Sequence, residues 1–270
     1  MHDASLSQSQ IANRLLNIVP PDEFAFIRPH LESVSFPTGH FVALAGDSLK
    51  KCYFPNSGMI SLLAETHRGS AVEVGFTGVE GMVGTPLLFG KNAMPFQALV
   101  QSPTDGHVAD IGVVRQLFAN HGVFHDAVLR YSYLVIRQLT QSAVCNHFHT
   151  IEARLCRWLT VLCERSGRRD LRLTHEFLAH MLGVQRTSVG TIAIELQRAG
   201  IINYRRGHIE ITDFEKLKAA ACECYRIMDA EYAELSPARR KKDARAVSTA
   251  RQTVAPELRQ TLPERPGRKN

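Results

Sequence analysis

The sequence predicts an α+β fold, in which an N-terminal antiparallel β-roll is followed by a long helix and a C-terminal winged helix-turn-helix. Three observations support this prediction. Short apolar runs separated by glycines fill residues 34–111, residues 124–149 contain neither proline nor glycine, and residues 174–200 have the spacing of two helices joined by a tight turn. At 270 residues, the chain is long enough for two domains.

The composition is that of a globular protein outside the membrane. Hydrophobic residues make up 44% of the chain and charged residues 21%, and no apolar run approaches the roughly 18 residues that span a bilayer. The N-terminus lacks a basic patch followed by an apolar stretch, so no secretion signal is expected. We therefore expect a cytoplasmic protein, whose six cysteines stay reduced.

The positive charge of the chain is concentrated at its C-terminus. Residues 236–270 contain ten Arg or Lys against three Asp or Glu, a surplus of seven, while the whole chain has a net charge of +6. The rest of the chain is therefore almost neutral. Residues 165–210 nevertheless carry eight basic and four acidic side chains, a local positive field typical of a protein that reads DNA.

The N-terminal part changes from helical to strand-like patterning. Residues 1–32 are predicted to form a helical lead-in, because apolar side chains recur at helical spacing on both sides of the Pro20–Pro21 break. Turn signals then recur every few residues over 34–111, as in an antiparallel barrel or roll. The predicted strands are residues 41–44, 58–63, 71–76 and 97–101. A short helix with an early proline is predicted to interrupt them at 85–89.

One long helix follows the predicted roll. It runs for about 26 residues from Phe124 to about His149, after a first helix at 113–120 and an interruption at Gly122. Its apolar side chains fall into two sets: Phe124, Val128, Tyr131, Val135 and Leu139 on one side, and Leu129, Tyr133, Ile136 and Val144 on another. A helix with two apolar faces is expected to pack on its own roll and on a partner, the alternative being a helix wholly inside a monomeric core.

The most specific pattern lies at residues 174–200. With His175 as the first position, the apolar positions four, eight, ten, fifteen and eighteen are Leu178, Leu182, Val184, Val189 and Ile192. The fifth position is Ala179, where two crossing helices come closest, and the ninth is Gly183, where a left-handed residue lets the chain reverse. These constraints predict a helix-turn-helix whose second helix, at about 185–199, enters the major groove of DNA, with an ordinary helical hairpin as the alternative.

The surrounding elements complete a winged helix-turn-helix. A helix is predicted at 151–165, ahead of the motif. Residues 201–211 are predicted to form a two-stranded hairpin with Gly207 in its turn, and one last helix is predicted from Phe214 to about Leu235. Residues 236–270 combine four prolines with dense charge and few apolar groups, so we predict a disordered basic tail.

In this order, over roughly residues 20–232, the sequence resembles the Crp/Fnr family of bacterial transcription regulators. The resemblance is carried by Gly78-Val-Glu-Gly-Met-Val-Gly84 and Leu182-Gly-Val-Gln-Arg-Thr-Ser-Val-Gly190. It implies a cyclic-nucleotide-binding-like roll, a homodimer joined along the long helices, a two-fold symmetric operator and RNA polymerase as a partner. The predicted domains are an effector-type roll at 1–122, a dimerisation helix at 123–149, a DNA-binding domain at 150–235 and the tail at 236–270.

The predicted effector pocket departs from the family pattern. Members that bind cyclic AMP hold it with Gly-Glu at the start of the short helix and Arg-Ser at the next strand. A cyclic phosphate is well held by a guanidinium and amide donors, and a ribose hydroxyl by a carboxylate. The matching positions here are Gly84, Thr85, Phe96 and Gln97, which lack both charged groups. We therefore expect no cyclic nucleotide, and the roll holds a different ligand or none.

The DNA-reading residues are carried over from the family position by position. The predicted set is Thr174, Gln185, Arg186, Thr187, Ser188, Thr191, Arg205 and Arg206. Arg186 matches the base-contacting arginine, whose guanidinium can pair with guanine, whereas Thr187 and Thr191 replace a glutamate and an arginine, so the operator should differ from the cyclic-AMP type. Thr174 and the two wing arginines are expected to hold phosphates. Solvated charge for the wing arginines, and helix packing for Ser188 and Thr191, are the alternatives.

No cofactor or metal is predicted. No cysteine precedes Cys52, so an N-terminal iron–sulfur cluster is not expected, and nothing singles out the histidines of the roll as haem ligands. Cys145 and His149 lie one helical turn apart and could bind a metal, but we favour packing on the helix surface or at an interface. Cys222-Glu-Cys224 is tighter than the usual zinc spacing.

Two other classes of function are weighed against a regulator. An enzyme is not expected, because the chain lacks the common nucleophile, phosphate-loop and metalloprotease motifs. The second alternative is a module that binds nucleic acid or a partner protein through its basic tail, with the roll as a purely structural dimerisation scaffold.

Overall fold

The structure, a computed structural model, describes residues 6–234, except for the side chains of Ala233 and Glu234. It confirms the predicted α+β fold with antiparallel sheets, a long helix and a C-terminal helix-turn-helix. No helix in these residues has both the length and the apolar content needed to cross a membrane. The predicted disordered tail lies outside the described residues.

Two antiparallel sheets form the roll. Its strands are β1 (Glu32–Phe36), β2 (Phe41–Ala43), β3 (Lys51–Pro55), β4 (Met59–Glu65), β5 (Ala71–Thr77), β6 (Gln97–Ser102) and β7 (Thr104–Asp110). They are ordered β1-β7-β3 in one sheet and β2-β6-β4-β5 in the other. Both sheets contribute to one core, in which Tyr53, Ile60 and Val100 are at most 2% exposed. The four individually predicted strands all belong to the second sheet.

The helices before the helix-turn-helix join the lead-in to the roll. They are α1 (Arg14–Asn17), α2 (Pro21–Ile27), α3 (Ile111–Ala119), α4 (Val123–Phe148) and α5 (Ile151–Ser166), with 3₁₀ turns at Gln8–Gln10, Arg28–His30 and Thr85–Phe89. Glu23 of α2 caps the long helix, because its carboxylate accepts hydrogen bonds from the N–H groups of Val123 at 2.7 Å and Phe124 at 2.8 Å. A negative charge at this position also offsets the positive end of the helix dipole.

The C-terminal part has the predicted elements with one correction. They are β8 (Asp170–Arg172), α6 (His175–Leu182), α7 (Arg186–Arg198), β9 (Ile202–Arg205), β10 (His208–Ile211), α8 (Phe214–Ala220) and α9 (Cys224–Glu234). The prediction of one helix from Phe214 to about Leu235 is wrong, because the chain becomes extended at Ala221 (ψ 144°) and a new helix starts at Cys224. No glycine or proline marks this break.

Strand β5 joins the roll to the helices behind it. The side-chain amide of Gln138 on α4 donates to the carbonyl of Phe76 at 3.0 Å and accepts from its N–H at 2.8 Å. These bonds satisfy backbone groups of an edge strand, which would otherwise be buried without partners. On the same strand, Glu73 accepts a hydrogen bond from Trp158 of α5 at 2.8 Å. Helices α4 and α5 are therefore both fixed to β5.

Candidate nucleic-acid interface

The helix-turn-helix is built from a capped first helix, a left-handed turn and a longer second helix. Thr174 caps α6, because its hydroxyl accepts a hydrogen bond from the N–H of Phe177 at 3.1 Å. Gly183 ends α6 with φ 64° and ψ 40°, the left-handed conformation that glycine adopts at least cost. The second helix then spans Arg186–Arg198, within the predicted range of 185–199.

Helix α7 is buried on one side only. Val189, Ala193 and Leu196 follow helical spacing and are at most 3% exposed, so they fix α7 on the rest of the motif. The predicted base-reading positions lie elsewhere on the helix: Gln185, Arg186, Thr187 and Thr191 are exposed, and Ser188 is half-buried. The apolar pattern that predicted the motif therefore also separates its packing side from its exposed side.

One polar side chain on α7 is restricted by local bonding, whereas that of the N-cap residue is not. The hydroxyl of Thr191 donates to the carbonyl of Thr187 at 3.2 Å, which leaves its methyl group and an oxygen lone pair for an incoming ligand. Gln185 occupies the N-cap position of α7 without a capping hydrogen bond, so its amide is not used for that purpose. Among the described residues, no carboxylate forms a salt bridge with Arg186.

The wing is a tight hairpin beside the start of α6. Strands β9 and β10 pair directly, and the two residues between them, Arg206 (φ 47°) and Gly207 (φ 81°), both have positive φ, as in a type I′ turn. The N–H of Leu173 donates to the carbonyl of Gly207 at 2.8 Å. The turn therefore lies next to Thr174, and Arg205 and Arg206 extend into solvent from it.

An aromatic contact and a hydrogen bond fix the wing to both helices. The ring of Tyr204 stacks on His175 of α6 with a centroid distance of 4.2 Å and an interplanar angle of 17°. The N–H of Tyr204 donates to the side-chain oxygen of Gln197 on α7 at 2.8 Å. Burial, together with the neighbouring Arg186, lowers the pKa of His175. The lowered pKa favours the neutral form of the imidazole ring that stacks on Tyr204.

The positive charge of this region is divided between interior and surface. Arg165 is turned inward, where its guanidinium lies 2.5 Å from the carboxylate of Glu80 and over the rings of Phe76 and Tyr232. Arg169 lies 3.5 Å from the centre of the Phe214 ring. Apart from Arg165, all the arginines of residues 165–210 are exposed: Arg168, Arg169, Arg172, Arg186, Arg198, Arg205 and Arg206. The three arginines predicted to contact DNA are therefore available to solvent.

The predicted effector pocket corresponds to a cleft of about 280 Å³ between the Thr85–Phe89 turn, the roll and α4. Gly84, Thr85 and Phe96 line it, together with apolar side chains of α4 such as Val135. Gln97 lies apart from the cleft, and its amide donates to the carboxylate of Glu65 at 2.6 Å. None of the described residues that line the cleft is charged.

Comparisons with known proteins agree with this architecture. Residues 153–220 match the model of the Crp-like helix-turn-helix domain. A CRP-like cAMP-activated global transcriptional regulator of Mycobacterium tuberculosis is 22% identical over 210 residues, which cover 75% of this chain and 94% of that protein. Residues 153–220 therefore form a Crp-like helix-turn-helix domain, and the comparisons support the predicted resemblance to Crp/Fnr-type transcription regulators. The relative is itself a transcriptional regulator, which agrees with the prediction of a non-enzymatic protein.

Solved structures of Crp/Fnr-type regulators share the fold. A Crp/Fnr-family protein from Eubacterium rectale has a TM-score of 0.64 at 15% identity, covering 76% of this chain and 96% of that one. The c-di-GMP-responsive global regulator CLP of Xanthomonas campestris has a TM-score of 0.60 at 20% identity, covering 72% and 100%. At these identities the comparison establishes the fold of the chain and says nothing of a ligand.

Proposed function

We propose that this chain is a Crp/Fnr-type regulator, a homodimer that reads a two-fold symmetric operator through α7. The observation that carries the proposal is the exposed start of α7, where Arg186 has no acidic partner among the described residues. A guanidinium in this position can make two hydrogen bonds to the O6 and N7 atoms of guanine. Thr187 and Thr191 are exposed beside it, and each offers a methyl group to a thymine.

Thr174, Arg205 and Arg206 are proposed to hold the DNA backbone. Thr174 accepts a hydrogen bond from the N–H of Phe177, so its own hydroxyl hydrogen is left to donate to a phosphate oxygen. The two wing arginines add positive charge next to Thr174, since the wing turn lies beside it. Such contacts set the orientation of the protein on DNA without reading sequence. Gln185 and Ser188 are assigned to the rim of the groove.

The outer face of α4 supports a dimer. Leu129, Tyr133, Ile136 and Val144 are 41–59% exposed, and helical spacing places them on one side of α4. The opposite side carries Phe124, Val128, Tyr131 and Leu134, which are at most 2% exposed in the roll interface. A continuous apolar stripe on a helix that is already packed on its other side is best covered by a second copy of the same helix.

The effector cleft suits an uncharged, apolar ligand. A cyclic nucleotide would bring a phosphate and a ribose into a site without a charged side chain, so both groups would lose water without a matching partner. A ligand in this cleft would contact Val135 and Ile136 of α4, close to the proposed dimer stripe. Binding would therefore be expected to act on the dimer, and RNA polymerase is the partner that the family resemblance implies.

A binding module driven by the basic tail is the competing function, and truncation separates the two. We would remove residues 236–270 and compare binding to a selected operator with binding to random DNA of the same length. The proposed regulator keeps its preference for the operator and loses only part of its affinity for all DNA. Loss of both preference and nearly all affinity would instead favour the tail-driven module.

A further inference from the structure

Four potential metal ligands from distant parts of the chain meet at the end of the long helix. Cys145 and His149 come from α4 and its C-cap, Cys222 lies in the break between α8 and α9, and Cys224 is the first residue of α9. Their ligand atoms all lie within 4.8 Å of one another. The Sγ atoms of Cys145 and Cys222 are 3.5 Å apart, as are the Sγ of Cys224 and the Nδ1 of His149. The three cysteines are buried and His149 is half-buried.

We propose that these four residues bind one zinc ion in a tetrahedral Cys₃His site. Zinc–sulfur distances of about 2.3 Å place the corners of such a tetrahedron about 3.7 Å apart, within the range already present here. Three cysteines and one histidine are a donor set of structural zinc sites. An iron–sulfur cluster needs ligands bound to different iron atoms, which spreads them further apart than one shared ion does. The close spacing of all four atoms therefore favours a single ion.

The residues around the four ligands are also suited to a metal. The Nε2 of His149 lies 3.1 Å from the carboxylate of Glu223, which leaves Nδ1, the atom next to Cys224, as the metal ligand. Carboxylates commonly orient ligating histidines in this way. The amide of Gln141 donates to the Sγ of Cys224 at 3.0 Å, which stabilises a thiolate.

A nearby cation offsets the charge of the proposed site. Zinc with three thiolates and a neutral imidazole carries one net negative charge. Arg157 lines the same small cavity as Cys145 and Cys224, and its Nε is buried without a hydrogen-bond partner among the described residues. A buried donor without an acceptor is costly, and the proposed thiolates would add negative charge to a cavity that Glu73 also lines.

The proposed ion would connect the end of α4 to the last two helices. Two ligands lie in the last turn and at the C-cap of α4, and the other two follow the point at which the helix from Phe214 stops. The N–H of Cys222 donates to the carbonyl of Ala153 on α5 at 3.3 Å, which holds this turn in place. Metal ligation thus gives a physical reason for a helix break that contains neither glycine nor proline, and it would anchor α9 to the end of the dimerisation helix.

Metal analysis of the full chain tests the site. The chain is purified under reducing conditions and equilibrated with Zn²⁺. Inductively coupled plasma mass spectrometry should then find one zinc ion per chain. Cys145→Ser and Cys224→Ser should lose it, whereas Cys163→Ser, a buried cysteine outside the cluster, should keep it. Glu223→Gln should lower zinc affinity about 10–100-fold, and Glu215→Gln on the exposed surface of α8 should not.

Cobalt provides a readout that does not depend on the folding of any variant. Co²⁺ added to the unmodified metal-free chain should give the visible absorption bands of tetrahedral thiolate ligation, and Zn²⁺ should displace it. The proposal is overturned if the reduced chain binds neither ion at one equivalent. It is equally overturned by iron with acid-labile sulfide, by copper(I) in place of zinc, by a Cys145–Cys222 disulfide that survives reduction, or by cysteine variants that fold and retain the metal.

Discussion

Glu73 on β5 joins the roll to α5, the first helix of the DNA-binding half. Its carboxylate is fully buried and accepts hydrogen bonds from Ser61 and from Trp158, both at the same oxygen. Burial raises the pKa of Glu73 above the ordinary glutamate value, more than the two hydrogen bonds and Arg157 lower it. The folded protein therefore binds this proton more tightly than the unfolded chain does.

The raised pKa of Glu73 predicts a pH dependence of stability. The contribution of the protonated carboxyl is fully present below the unfolded pKa and is lost as the pH rises through the folded pKa. Glu73→Gln should abolish this dependence of stability on pH. It should also raise the free energy of unfolding at neutral pH, because the amide oxygen can still accept both hydrogen bonds. Urea titrations across the acid-to-neutral range check this, with Glu152→Gln, an exposed site on α5, as the control. If the free energy of unfolding of Glu73→Gln still depended on pH as it does in the unmodified chain, Glu73 would not be the source of this dependence.

At the scale of single residues, the sequence predicts which side chains are exposed, but not which residues distant in sequence they contact. Local spacing predicts that Leu178, Ala179 and Val189 are interior, whereas the assignment of Arg186 to a base-reading position rests on the family resemblance. The pairing of Glu73 with Trp158 spans 85 positions, and no spacing rule connects them. The family resemblance places Gln97 in the effector pocket, whereas its side-chain amide donates to Glu65 on a neighbouring strand.

At the scale of elements, the wing agrees well with what its sequence predicts. Gly207 predicted a hairpin turn, and the turn forms there because Arg206 and Gly207 both take positive φ. The helix from Phe214 was the main error, since the break at Ala221 depends on contacts with α4 and α5 that a helical pattern does not encode. The two cysteine pairs were visible in the sequence, but only the tertiary fold brings them together.

The wing predicts a defined change in salt dependence. Arg205→Ala with Arg206→Ala should weaken binding to operator and random DNA to a similar degree, because phosphate contacts carry no sequence information. The plot of the logarithm of the association constant against the logarithm of the salt concentration has a negative slope. Each lost phosphate contact should make this slope less steep by about 0.9. Fluorescence anisotropy at several salt concentrations measures this, with Lys91→Ala in the roll as the control. An unchanged slope would mean that the two arginines are merely solvated.

At the scale of the whole molecule, the roll, the long helix and the DNA-binding half form one connected unit over the described residues. Gln138 and Glu73 attach α4 and α5 to β5, and Arg165 of α5 pairs with Glu80 of the roll. The outer face of α4 is left with an apolar stripe. A regulator of this build is expected to work as a dimer, in which a ligand in the apolar cleft and the two reading helices are mechanically linked through α4.

The stripe on α4 predicts how the dimer can be broken. Tyr133 is 58% exposed, so Tyr133→Glu should leave the fold of each chain intact while placing a carboxylate in the proposed interface. An unpaired buried charge costs about 3–5 kcal/mol, which is enough to shift the chain toward the monomer. The monomer would lack the additional DNA affinity that comes from linking two DNA-binding domains. Analytical ultracentrifugation checks this against Leu44→Glu, an exposed apolar site on the roll. A dimer that survives Tyr133→Glu would place the interface elsewhere.

The most direct test of whether α7 recognises a symmetric operator is to select bound sequences from random double-stranded DNA. The selection is carried out with the unmodified chain and with Arg186→Ala. The unmodified chain should enrich two inverted half-sites whose centres lie about one helical turn, roughly 10 base pairs, apart, each with a guanine at one fixed position. Arg186→Ala should lose the preference at that base pair, at a cost of about 1–3 kcal/mol on the selected site. Single unsymmetric sites, or an unchanged preference at the guanine, would contradict the proposal.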